Sequence, residues 1–295
     1  MHGLAEFAQQ ILSGTAVGCI YVLVALGFVL VYKATEVVNF AQGELMMLGA
    51  FLGYSFIVLA GLPFWLGALL AVACMVAAGA LIDRTVIRPI VGQPVFAIVM
   101  VTIGVSFVMR SIVSIMPGWG TDTYRLVTPV SGRVVHAGAL TVSGDHLIII
   151  AATLVLGAVL FAFFRYTRIG LAMQAVSQNQ LAAYYAGIPV KTVFSLIWAV
   201  SAAVAGVAGI LLAPIAFVHV NMGFIGLKAF PAGVLGGFGS VPGAIAGGLV
   251  IGIIEALAGF YLAEGFKDVA AYVVLLVVLM VWPQGIFGGR ARKRV

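Results

Sequence analysis

ILSGTAVGCIYVLVALGFVLVY (residues 11–32) runs without a charged side chain and is apolar on every helical face. A helix rises about 1.5 Å per residue, so a run of this length crosses the roughly 30 Å hydrocarbon core of a bilayer. A helix greasy all round belongs in lipid or in the middle of a bundle. Outward from it, comparable runs recur at 44–61, 63–82, 95–115, 147–164, 193–213, 242–262 and 269–286. With 63% hydrophobic and 8% charged residues and a mean hydropathy of +1.22, the 295-residue chain carries more apolar surface than a water-soluble fold hides. A membrane barrel would need ten-residue alternating strands, and the runs here are unbroken. The expected fold is all-α: a polytopic membrane helix bundle of about eight full spans, in one transmembrane domain over residues 1–295. The start, MHGLAEFAQQ, lacks a basic region and a small-residue cleavage site, so the first run is expected to remain as a span.

One apolar stretch resists this scheme. Residues 214–241, with AFVHVNMGFIGLKAFPAGVLGGFGS, carry too much Gly and Pro for a continuous helix, so a broken or re-entrant crossing is expected there. If it crosses, the basic residues sort by side. Lys33, Arg84, Arg88, Arg165, Arg168, Lys191, Arg290, Arg292, Lys293 and Arg294 fall on one, and Arg125, Arg133, Lys228 and Lys267 on the other, with Arg110 near a span end. The positive-inside rule then puts the C-terminus in the cytoplasm and the N-terminus outside. The net charge of +6 reflects this topology better than nucleic-acid binding.

Cys19 and Cys74 both sit in apolar runs and read as core residues, and His136, His146 and His219 have no paired spacing, so no metal site is expected. Small residues four apart, at Gly14 and Gly18, Ala205 and Gly209, Gly243 and Gly247, and Gly248 and Gly252, predict close helix packing. Two interrupted segments, 37–51 and 226–244, stand early and late in the chain, a placement that points to a transport pathway. The first carries Asn39, Gln42 and Glu44, either polar lining or a helix cap; the second carries Lys228, Phe230, Gly236 and Gly237. Glu255, well inside a span, needs a partner, a watery cavity or a proton.

The outer segment 116–146 is polar and turn-rich: a lid, a docking surface or a plain loop. The opposite loop 165–192 is too polar to cross, and Gly187 and Pro189 are placed as a helix stop; it reads as a short helix on the membrane face, where a soluble motor could push. No GxxxxGK[ST] stretch, nucleophile elbow or HExxH is present, so energy from ATP has to come from a partner.

The stretches GCIYVLVALGFVLVYKATEVVNFAQGELMMLGAF (18–51), DRTVIRPIVGQP (83–94), RIGLAMQAVSQNQLAAYYAGIPV (168–190), AGVAGILLAP (205–214), LKAFPAGVLGGFGSVPGAIAGGLVIGIIE (227–255) and WPQGIFG (282–288) resemble the LivH-type permease subunits of bacterial ABC importers for branched-chain amino acids and related solutes. The resemblance implies an inner-membrane permease with no cofactor of its own. Its implied partners are a second homologous permease, two ATPase subunits carrying ATP and Mg, and a periplasmic substrate-binding protein. By position the family's coupling helix falls on Leu171 to Gly187, with Gln174, Ala175, Ala182, Ala183 and Gly187 facing the motor. Members often have Arg where Gln174 stands and an acidic residue near Asn179 or Gln180, a departure in this chain. The implied cargo is a branched-chain or other hydrophobic amino acid. Relatives for urea, short amides or aromatic acids are the alternative, and a stand-alone secondary carrier is a more distant one.

Overall fold

The computed structural model describes residues 2–90, 92–137, 140–263, 265–282 and 285–286. The basic tail at Arg290, Arg292, Lys293 and Arg294, and Pro283, Gln284, Phe287 and Gly288 of the WPQGIFG stretch, lie outside them. Twelve α-helices and one small hairpin are described. They are α1 (His2–Thr35), α2 (Gln42–Tyr54), α3 (Phe64–Ile82), α4 (Val95–Ile115), the strands β1 (Val134–Ala137) and β2 (Leu140–Ser143), then α5 (Gly144–Tyr166), α6 (Arg168–Gln178), α7 (Gln180–Tyr185), α8 (Val190–Ala216), α9 (Met222–Leu227), α10 (Ala229–Gly236), α11 (Val241–Tyr261) and α12 (Phe266–Val281). Single π-turns, Ser55–Leu59 and Asp83–Ile87, prolong α2 and α3. Seven helices are long and apolar enough to cross a membrane. The molecule is a polytopic helical bundle.

Punctuation residues set the helix starts. Pro63 and Pro94 precede α3 and α4, and the side chains of Ser143, Thr167, Asn179 and Ser240 accept from the first-turn N–H groups of α5, α6, α7 and α11. Packing inside the bundle runs through small residues. Gly14 and Gly18 of α1 face Ile253, Ala256 and Leu249 of α11, while Gly248 and Gly252 of α11 face Val22 and Gly18. Two of the stripes read from sequence thus pack on each other, antiparallel, and α1 and α11 form the most extensive helix pair. Gly209 lies against the Met46 carbonyl and Gly49 against Gly206, seating α2 on α8; Gly243 meets Gly236, and Gly247 the Ala232 carbonyl, seating α10 on α11.

These pairings give the direction of each pass. α8 is antiparallel to α1, since Ala34 at the end of α1 joins Val193 near the start of α8 in one apolar cluster, while Gly27 reaches Ser201. α11 is antiparallel to α1 as well, so α8 and α11 run the same way. The chain between them must therefore return across the bundle. It leaves α8 at Phe217, pairs Val218 with Tyr124 of the loop 116–146 through two 2.8 Å backbone bonds, and returns through α9 and α10. The 214–241 stretch is a broken crossing, interrupted at Lys228. α12, 16 residues long, packs on α11 and α10 and brings Ile286 to the Leu235 carbonyl at the far end.

The loop 165–192 forms two short helices where one was expected. Asn179 adopts an extended backbone (φ −158°, ψ 105°), ends α6 and caps α7 by accepting from Ala182 N at 2.9 Å. Gly187, at φ +82°, closes α7 in the left-handed conformation that glycine tolerates. Gly187 N bonds the Tyr184 carbonyl and Ile188 N the Ala183 carbonyl, a paired helix stop.

Candidate translocation and coupling sites

Three polar constellations lie within the bundle, each built where a loop or a break brings backbone and side chains inward. The first is at the head of α2. The loop 36–41 runs into the interior, so Asn39 and Gln42 are fully enclosed. Asn39 Oδ1 accepts from Ala41 N at 3.1 Å and its Nδ2 donates to Gln42 Oε1 at 3.2 Å, so Asn39 shapes the turn while the cap position itself is Ala41. Gln42 Nε2 donates to the Ser201 carbonyl, and the Ser201 hydroxyl lies 3.0 Å from both Gln42 Oε1 and the Gly27 carbonyl. The amide of Gln42 fits because residue 27 has no Cβ, which would occupy the same space. Ser201 stands near the middle of α8, so α2 begins deep within the bundle.

Two residues along, Glu44 pairs with Arg110 of α4, whose guanidinium also sits 4.1 Å over the ring of Phe224 on α9. Below this pair, towards α7, a cavity of about 170 Å³ is walled by Thr35, Asn39, Gln93, Thr102, Gln180 and Trp198, among others. Among the described residues no ionisable side chain lines it, and the Trp198 indole N–H is buried without an acceptor.

The second constellation answers what Glu255 needs. Tyr21 of α1 donates its hydroxyl to Glu255 Oε2, and Lys228 donates to Glu255 Oε1 at 3.0 Å and to Asp268 Oδ1 at 2.5 Å. Lys228, counted on the outer side from sequence, is held inside the bundle at the α9–α10 break. An intramembrane charge needs such partners, and the chain ties the break to α1, α11 and α12. Phe230 packs against Phe28, Phe40 and Phe238, while Gly236 and Gly237 form the close turn into α11, Gly237 at φ +86°.

The third constellation is the α6–α7 platform. Met173, Val176 and Ala183 enter an apolar cluster with Leu30, Val31 and Ala34 of α1, Ile87 and the start of α8. Gln180 Nε2 donates to the Ala34 carbonyl at 2.8 Å, and Gln174 Nε2 to the Phe164 carbonyl at 2.8 Å. Of the coupling candidates, Leu171, Gln174, Ala182 and Gly187 are exposed, Ala175 is half-buried and Ala183 is buried. Leu181, Tyr184 and Tyr185 stand out from the same face. Beside it, buried Asp83 accepts from Arg88 at 3.2 Å and from Ser195 at 2.5 Å, joining the end of α3 to the start of α8.

Sequence reading missed Arg110 as Glu44's partner, and Tyr21, Ser201 and Asp268 altogether. Arg110 did leave a signal, as the sole charge in the apolar run 95–115. A tyrosine or serine within such a run leaves none.

Residues 10–282 match the family described as branched-chain amino acid transport system / permease component. The chain is 34% identical over 298 aligned residues to the high-affinity branched-chain amino acid transport system permease protein LivH of Escherichia coli K12, with 96% of each chain covered. It is 31% identical to the permease protein BraD of Pseudomonas aeruginosa, with 98% of each covered. To the probable branched-chain amino acid transport permease protein LivH of Methanocaldococcus jannaschii it is 30% identical, over 95% of this chain and 92% of that one. Among solved structures, PsaBC from Streptococcus pneumoniae, in complex with Fab, shares the fold with a TM-score of 0.52 at 12% identity, over 94% of this chain and 92% of that one.

Proposed function

The chain belongs to the family of permease components of branched-chain amino acid transport systems, and from that premise we propose that it is the translocating subunit of an ATP-driven importer for branched-chain or other hydrophobic amino acids. The observation that carries this is the end-to-end match to curated permeases of that name, 96% of either chain. As a permease it is a multi-pass membrane protein and a transport subunit. In this reading a second, homologous permease completes the pathway, two ATPase subunits bind ATP and Mg, and an external binding protein delivers the solute to the end of the bundle that carries β1 and β2.

The α6–α7 platform is the proposed seat of the motor. It projects Leu171, Leu181, Tyr184 and Tyr185 while Ala183 and Met173 root it under α1 and α8. A push on it is carried to α1 through Gln180 and to α3 through Asp83, Arg88 and Ser195. The pathway is proposed to run along Asn39, Gln42 and Glu44 on one side of the bundle, with the Lys228–Glu255 tie, Phe230, Gly236 and Gly237 forming the break that yields as access alternates.

The test is to capture the tagged chain from its native membranes in mild detergent and then reconstitute what is captured. A second permease and P-loop ATPases should come with it, and leucine uptake into the vesicles should require ATP and the binding protein. A chain that transports alone without ATP would overturn the reading.

A further inference from the structure

The Glu44–Arg110 pair is incomplete. Glu44 Oε1 receives the Arg110 Nη2 donor, but Glu44 Oε2 and Arg110 Nε are buried with no hydrogen-bond partner among the described residues. Each such atom costs about 1–3 kcal/mol, more when the group is charged. Orphans of this kind need an explanation in what the protein does. Glu44 is 3% exposed, and what seals it is backbone: a Cβ on Gly223 of α9 would run into its carboxylate. The next residue of α9, Phe224, is the ring under the Arg110 guanidinium, and that ring is 52% exposed. One six-residue helix therefore covers both charges.

α9 meets the head of α2 glycine on glycine, Gly223 and Gly226 against Gly43, while Met222 anchors its first turn in the core. It is preceded by Phe217 at φ +60° and continues into α10 through Lys228, whose backbone stays helical. Arg110 keeps 22% of its side chain open on α4, a helix whose outer face shows Phe107, Val108 and Ile112. Lipid does not solvate a guanidinium at this depth, so this part of the surface looks onto water or onto protein.

Building on the permease reading above, we propose that α9 is an intramembrane lid over a charge-reading station. When α9 withdraws, Glu44 Oε2 accepts from the ammonium of the passing solute and the Arg110 guanidinium donates to its carboxylate. The station suits a free α-amino acid. Urea or a neutral amide would leave one end of the station, Glu44 Oε2 or the free face of the Arg110 guanidinium, without an ionic partner, a discrimination by unpaired groups that is large in buried sites.

The experiment uses the complete transporter, with partner subunits and binding protein, in proteoliposomes. Glu44→Gln and Arg110→Gln should each lower L-leucine uptake by about tenfold or more, the factor that about 1.4 kcal/mol of lost interaction produces. The exchanged variant, Glu44→Arg with Arg110→Glu, remakes an internal pair and should regain none of that loss; recovered uptake would reduce the pair to a structural tie and overturn the proposal. Independently of transport, Glu44→Cys in a background with Cys19 and Cys74 replaced by Ala should react with a small membrane-impermeant thiol reagent only when ATP and loaded binding protein are supplied. The same reactivity in both states would overturn the lid. An unaltered transporter that takes up no leucine would strike the permease reading instead.

Discussion

Lys228 holds two carboxylates at once, and their surroundings differ: Glu255 is buried, whereas Asp268 is 71% exposed. A pair shared with solvent is worth about 0–1 kcal/mol, but stripping the partner from a buried charge costs about 3–5 kcal/mol. Lys228→Met should therefore lower the thermal unfolding temperature of the detergent-solubilised transporter most, Lys228→Met with Glu255→Gln less, and Asp268→Asn least. Equal loss in the first two would mean that Glu255 does not depend on Lys228. That Glu255 required company was legible, because a carboxylate in an apolar run has to be answered. Which residues answer it was not: Tyr21 lies 234 positions away in the chain and Lys228 27, and only the helix pairing joins them. Arg110 and Glu44 are the same case. Sequence reading put Arg110 near a span end and Glu44 at the first interrupted segment, and their pairing follows from how α4 leans on α2.

Glycine spacing at the scale of the helix pair was readable in advance, since four-residue stripes of small residues have few uses in lipid other than close approach. What the stripes do not state is the partner, and here the α1 stripe meets the α11 stripe. A Cβ on Gly252 would collide with Gly18, and one on Gly248 would stand 2.6 Å from Val22 N. Gly252→Ala and Gly248→Ala should each destabilise by about 1–3 kcal/mol, as overpacking does. Gly104→Ala and Gly157→Ala, in α4 and α5 with nothing within 4 Å of the added methyl, should be neutral or slightly stabilising through helix propensity. Thermal denaturation of the four variants in one detergent checks the contrast; a uniform response would mean that α1 and α11 do not touch through these faces. The platform poses a parallel question. The loop 165–192 read as one short helix stopped at Gly187 and Pro189, and the actual division depends on a local competition, in which Asn179 prefers capping α7 to continuing α6. Because Ala183 is buried against α1 and α8, Ala183→Arg should dislodge α7 and cost ATP-driven uptake while the chain stays in the membrane. Uptake at the native level would separate α7 from coupling.

Across the whole molecule, the passes inferred from helix pairing fix which loops share an end, and charge then chooses the side. Gln9 and Thr141 bond each other twice, at 2.6 and 3.0 Å, so the start of α1 and the β1–β2 hairpin lie at one end of the bundle. Gln180 on Ala34 places α7 at the other. With Lys228 inside, the hairpin end keeps Arg125, Arg133 and Lys267, while the platform end holds Lys33, Arg84, Arg88, Arg165, Arg168 and Lys191. From that asymmetry, counted in loops close to the spans, we propose that the platform faces the cytoplasm. Sequence alone left the count of passes open because α9 and α10 are each too short to read as a span, and their joint crossing becomes evident only once α8 and α11 are seen to run in parallel. Single cysteines in a background without Cys19 and Cys74 put this to measurement in intact cells. Glu6→Cys and Ser131→Cys should react together with an impermeant thiol reagent added outside, and Ser177→Cys only after the membrane is opened. Glu6 and Ser131 reporting from opposite sides would break the pairing of α1 with the hairpin. All three responding the other way round would keep the bundle and invert it, against the charge rule and against a motor acting on α7 from the side where ATP is held.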